Sequence, residues 1–349
     1  MNKCISIFAL IGMTALVIPA QSSVVHARSA YSSVRLNNFI GKKQLVSYRA
    51  VPVKPLNFND AWEILNKTQA RTHVNMHFEK AQQLTGGRYV FTSPEDPSAV
   101  FDIDPTTGSF LLNYGFKKYT HEFSTLNLPS ASQAPELARK HLAETGFLPA
   151  NEREMVVGHV GGLNLGVTKY GRSTGDYKKL VTVQYNRVLE GLPVQGPGSR
   201  IIVHLGEDGA LAGLIRNWPD VTAKAIAKSE LKSNAVISKE IRQQLRLTAG
   251  DAKEIAIRQA SLVLYDDGRG TIEPAVYVVA DARYLGPRNE TLVNNPVDFY
   301  VPVLKVPGAY YPYMKSRNSK SPGYDDRERS FRPMTAKPET SGVDQSDRK

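Results

Sequence analysis

The chain has 349 residues and a single cysteine, Cys4. Downstream of it there is no thiolate for a metal site, no cysteine nucleophile and no disulfide to staple the fold. His-Glu-x-x-His is also missing, the spacing that turns two imidazoles and a general base toward one zinc ion. His73 and His77 stand four apart, but Val74, Asn75 and Met76 lie between them. Without a carboxylate they read as two ordinary surface histidines. The glycine-rich stretch from Gly158 to Gly166 lacks the Lys-Ser/Thr pair of a phosphate loop.

Two acidic pairs remain, Asp102 with Asp104 and Asp266 with Asp267. Both sit beside hairpin tips, where aspartate forms turns, and neither completes a calcium loop. His141 falls on an apolar helix stripe and His204 within a strand, each without a nucleophile nearby in sequence. The reading is of a protein with no catalytic residue, no metal ligand and no cofactor.

What the chain does have is positive charge: 44 Lys and Arg against 33 Asp and Glu, a net +11. The basic residues form short pairs, Lys42-Lys43, Lys117-Lys118 and Lys178-Lys179, without interleaved aromatics. That pattern describes a solvated basic surface rather than a nucleic-acid site. An acidic envelope polymer or a lipid headgroup stays open as a partner.

The N-terminus has the layout of a secretory signal. Lys3 precedes a largely apolar run from Ile5 to Ile18, and small residues allow cleavage after Ala20 or Ala27. Residues 1–27 are therefore expected to direct export to the periplasm, cell surface or medium. No later segment is long and apolar enough to cross a bilayer as a helix.

Residues 28–54 read as a flexible arm with one edge strand near Leu45 to Tyr48. Residues 315–349 are rich in Ser, Pro, Arg, Lys and Asp and read as a disordered tail. Between them one theme recurs three times, a helix followed by antiparallel strands, at 55–128, 129–222 and 223–314. In the first unit Asn59 is the candidate N-cap. In the second, Ser132 is the candidate cap, Pro135 sits in the first turn and Gly146 is the stop. In the third, Ile237, Ile241 and Leu245 are four apart and Gly250 ends the helix. The expected class is α+β, with helices packed on tandem antiparallel sheets.

The second unit contains Val183-Gln184-Tyr185, then Gly191-Leu192-Pro193-Val194-Gln195-Gly196, then Ile201 to Leu205 and Asp208-Gly209. This order of strand, Gly-x-Pro-Val-x-Gly turn, apolar strand and Asp-Gly hairpin resembles the pro-regions of thermolysin-like and fungalysin-like metallopeptidases, related to the PepSY domain. The inserted Pro197-Gly198 departs from that pattern. The resemblance implies PepSY/cystatin-like tandem units without a peptidase catalytic domain. It also implies a non-catalytic inhibitor, chaperone or regulator of a secreted peptidase, with Gly191, Pro193, Val194, Gly196, Asp208 and Gly209 as the motif turns. The alternatives are an envelope binder of acidic polymer or lipid headgroups, and a hydrolase using carboxylates. Trp218, Tyr310, Tyr311 and Tyr313 are the candidate partner-binding anchors, because tyrosine and tryptophan bury large area at small entropic cost.

Overall fold

The computed structural model describes residues 8–9, 39–41, 44–74, 76–79, 82–83, 87–115, 119, 126–169, 172–250, 252–285 and 292–312. The expected tail, Tyr313, most of the expected signal and about half of the expected arm lie outside these residues.

Three α-helices carry apolar stripes at helical spacing. Helix α1 (Phe58–Thr72) buries Ala61, Leu65 and Thr68. Its cap is Asn57, two residues before the expected Asn59. The Asn57 side chain accepts from Asp60 N at 3.0 Å, and the Asp60 carboxylate accepts from Asn57 N at 2.9 Å. This reciprocal pair needs an acid three residues beyond the cap, which only Asn57 has. Helix α2 (Ala134–Thr145) has Pro135 in its first turn and ends at Gly146, φ 77°, as read from the sequence. Its cap position is Gln133, not Ser132, and no side chain caps it. Helix α3 (Asn234–Ala249) is capped by Ser233 and stops at Gly250, with Ile237, Ile241 and Leu245 fully buried.

The first sheet is antiparallel throughout. In chain order its strands are β3 (Gln82–Gln83), β4 (Tyr89–Thr92), β5 (Ala99–Ile103), β6 (Phe110–Tyr114), β7 (Met155–Lys169), β8 (Arg172–Leu189), β10 (Arg200–Leu205) and β11 (Leu211–Asn217). In space the order is β7-β8-β10-β11-β6-β5-β4-β3. Alternation places Phe101, Ile103, Val183, Ile201, Val203 and Leu205 on one face, where Leu65 of α1 and Leu142 of α2 complete the core.

The second sheet contains β2 (Val46–Ala50), β12 (Val221–Ala225), β13 (Glu254–Asp266), β14 (Thr271–Leu285) and β15 (Leu292–Pro302). Its backbone is the β13–β14–β15 ladder. β2 pairs with the Thr271 end of β14 on one side and with β12 on the other. Helix α3 packs against this sheet over Val276, Val278, Ala280, Phe299 and Val301. Strand β9 (Leu192–Gln195) links the two sheets. It runs antiparallel to β8 and parallel to β13, with Val194 opposite Leu264. One further two-residue strand, β1 (Phe8–Ala9), pairs with β7.

These pairings correct the expected fold class. Among the described residues 15 strands join in one mixed, hydrogen-bonded network with three helices, not in tandem helix-plus-sheet units. A free strand edge presents unpaired N–H and C=O groups, and the edges satisfy one another. β6 pairs β11, fusing what the sequence divides at residue 129. β2, expected as an edge strand of the arm, is an interior strand whose partners lie near residues 222 and 271.

Candidate functional site

The Gly191 to Gly196 turn carries the most specific sequence signal. Glu190 and Gly191 take φ of 48° and 81° and reverse the chain between β8 and β9. Val194 is buried in a small cluster with Tyr48, Leu189, Leu264 and Ile272. Gly196 takes φ 107°, and a Cβ there would collide with the backbone oxygen of Asp266. A Cβ on Gly198 would collide with the Asp266 carboxylate. Both glycines therefore let backbone lie directly against Asp266. The inserted Pro197-Gly198, which departs from the propeptide pattern, forms part of this contact.

Asp266 and Asp267 are at the β13–β14 turn, as read, but they are not exposed: they retain 2% and 8% of their accessible surface. Each splits its oxygens between its own turn and a remote segment. Asp266 accepts from Gly268 N at 2.8 Å and from the Ser199 hydroxyl at 2.6 Å. Asp267 accepts from Arg269 N and Thr271 N on one oxygen and from Tyr310 N on the other, at 3.0 Å. A third acid, Glu273, is 2% exposed. It accepts from Gly308 N, Ala309 N and the Tyr311 hydroxyl at 2.8, 3.2 and 2.9 Å. All six carboxylate oxygens thus bind donors of the chain itself. Burial raises Asp266 and Glu273 above the ordinary carboxylate range, against the lowering effect of these hydrogen bonds.

The acids pin the segment 308–311 across the second sheet. Tyr311 is buried and stacks on Tyr265 at 4.6 Å, which in turn contacts Tyr300 at 4.7 Å. Burial first, and then the Glu273 charge, raise the Tyr311 hydroxyl far above its ordinary value. Tyr310 is half-buried under the Arg269 guanidinium, 4.2 Å from its ring centre. The structure therefore brings the motif turn and two of the candidate tyrosines together around one acidic hairpin. Ser199 and Glu273 were missed by the sequence reading. The signal for Glu273 was a charged residue at an inward position of an apolar strand; Ser199 carried none.

The other singled-out residues lie elsewhere. Trp218 is 5% exposed, within the first core, with the Arg187 guanidinium 5.2 Å over its ring. Pro193 sits opposite Val188 on the exposed side of β9. Asp208 and Gly209 occupy the far end of β10 from the Gly191 turn. Asp208 accepts from Asn127 Nδ2 at 2.6 Å, and the Gly209 carbonyl is 2.9 Å from His141 Nε2. His204 lies 2.9 Å from the Thr182 hydroxyl, and burial lowers it to about 4. No group of three or more His, Cys, Asp or Glu suited to a metal occurs among the described residues. The cavity lined by Leu45, Tyr48, Leu189 and Leu264 has a volume of about 10 Å³, room for no more than one water.

One surface is unusual in its backbone. β7 has 15 residues, against about six for an ordinary strand. β8 pairs with it along one side. On the other side only Phe8 and Ala9 pair with it among the described residues, opposite Gly166 and Leu165. Val156 and Val157 are 40% and 48% exposed there. Three register shifts against β8 break its regularity. Gly162 is required where a Cβ would strike the Leu180 carbonyl.

No family model matches the chain, and no curated protein matches it. Among solved structures it is similar to an uncharacterized protein from Eubacterium rectale. The two share 14% identity, over 75% of this chain and 84% of that one, with a TM-score of 0.43.

Proposed function

We propose that this is an exported, non-catalytic binding protein that engages a protein partner by strand addition along β7. The propeptide resemblance of residues 183–209 points to a secreted peptidase as the class of partner. The observation that carries the reading is the long β7, paired by β8 on one side and, among the described residues, only by Phe8 and Ala9 on the other, with two exposed valines. An edge of this kind offers a row of backbone donors and acceptors to an extended segment, and alternate side chains give specificity. The full use of the buried carboxylate oxygens by internal donors supports a binding role over carboxylate hydrolysis. The basic balance and the N-terminal signal layout support a place in the cell envelope or medium.

The test is co-purification from periplasm or culture medium, followed by peptidase inhibition with the captured partner. V156K/V157K places two lysines on the edge, the residue that blunts natural sheet edges. Both sites are exposed, so stability is expected to move by less than about 0.5 kcal/mol while capture and inhibition disappear. A double variant that captures and inhibits as well as the natural chain refutes strand addition at β7.

A further inference from the structure

The outer face of α3 has a chemistry of its own. Ile237, Ile241 and Leu245 face the core. At about 100° per residue, Lys239, Arg242 and Arg246 fall in one stripe on the opposite side, and all three are exposed. The helix carries one acid, Glu240, which is bound by Lys232 at 2.7 Å. Bordering the stripe are Val236, 42% exposed, and Leu247, 69% exposed, with Gln243 between them. Val306, 85% exposed, follows a segment tied to the start of this helix. There Lys232 N donates to Val303 O and Lys305 N donates to Glu230 O, each at 2.9 Å. Leu247 and Val306 are the two most exposed large hydrophobic residues among those described.

A lone exposed leucine is ordinary. A cationic stripe bordered by apolar side chains on one helix is the arrangement of an interfacial helix. We propose that this face of α3 docks on an anionic lipid surface. Lys239 and Arg242 would sit over the headgroups, and Leu247 and Val236 would enter the boundary with the acyl chains. A soluble polyanion would satisfy the cations but give the apolar side chains nothing to bury against.

Flotation with vesicles of phosphatidylglycerol mixed with phosphatidylcholine, set against pure phosphatidylcholine, tests this at low salt on the full chain. The apolar run from Ile5 to Ile18 is common to all variants, so differences between variants report on the face. K239Q/R242Q is expected to lower the partition coefficient roughly 30-fold, at the usual contribution of a cation near an anionic surface. Leu247→Ser is expected to lower it roughly tenfold through lost apolar burial. K54Q/K178Q removes the same charge at two exposed lysines outside α3 and is expected to leave it unchanged. Equal binding to neutral vesicles, or no binding to anionic ones, overturns the proposal. So does a K54Q/K178Q loss as large as that of K239Q/R242Q, since net charge alone then suffices. An unaffected Leu247→Ser variant also overturns it, in favour of a soluble polyanion.

Discussion

Glu273→Ala removes the acceptor that fixes segment 308–311. Three donors lose their partner: Gly308 N, Ala309 N and the Tyr311 hydroxyl. Gly308 is exposed and water can replace the lost bond, but Ala309 and Tyr311 are each 7% exposed. Two stranded donors to a charged acceptor would cost about 3–6 kcal/mol. Relief of the desolvated carboxylate offsets part of this, leaving a net loss of about 3 kcal/mol. Glu273→Gln keeps one oxygen for the two amides, and the Tyr311 hydroxyl can turn to accept from the new amide, so about 1 kcal/mol is expected. Urea unfolding gives the stability, and hydrogen exchange at residues 308–311 reports the segment directly. The sign with pH follows from the raised carboxyl. The folded state holds the proton more tightly than the unfolded chain. The Glu273 contribution is therefore fully present below the unfolded value near 4 and is lost as pH rises through the folded one. Asp266 is raised in the same direction, with Asp267 beside both. The natural chain should lose stability as pH rises through this window, and Glu273→Gln should lose less. An alanine variant within about 0.5 kcal/mol of the natural chain, with unchanged exchange at 309, refutes the clamp. So do identical pH slopes for Glu273→Gln and the natural chain.

Gly198→Ala drives a methyl into the Asp266 carboxylate, and a loss of about 1–3 kcal/mol is expected in urea unfolding. Trp218→Ala empties a site in the first core and should cost about 3–5 kcal/mol, read as a lower thermal midpoint. Arg187 is 3% exposed, pairs with Glu154 at 2.7 Å and donates to the Pro219 carbonyl at 2.7 Å. Arg187→Met should cost about 3–5 kcal/mol, and a double-mutant cycle with Glu154→Gln should show coupling above about 1 kcal/mol.

Local chemistry was legible in the sequence, whereas strand neighbours were not. The Ile237, Ile241 and Leu245 spacing and the Gly146 and Gly250 stops located α2 and α3, because side-chain periodicity and left-handed glycines act within a few residues. Alternation from Ile201 to Leu205 located β10 to within a residue, since it reports which face is buried. It does not report which strand lies alongside. For that reason β6 against β11, β2 against β14 and β9 parallel to β13 escaped the reading, and with them the continuous network. At the candidate site, Asp266 and Asp267 were read as turn residues. Each does serve its turn with one oxygen, but the second oxygen reaches Ser199 or Tyr310, 67 and 43 positions away. Nothing local encodes such a reach.

The interior place of β2 bears on the order in which the chain can fold. Arg49 Nη1 bonds the Thr271 hydroxyl across 222 positions. On a ribosome, the first sheet could assemble once residue 217 has emerged and β2 could pair with β12 a few residues later, but its other edge would wait for the Thr271 end of β14 to be made. Such distant contacts raise contact order and slow folding. Until then the nascent protein carries β2 with one edge open, which is a target for chaperones and a liability for mispairing. A chain shortened to begin at residue 55 would leave β12 and the Thr271 end of β14 without that strand, however complete its later half.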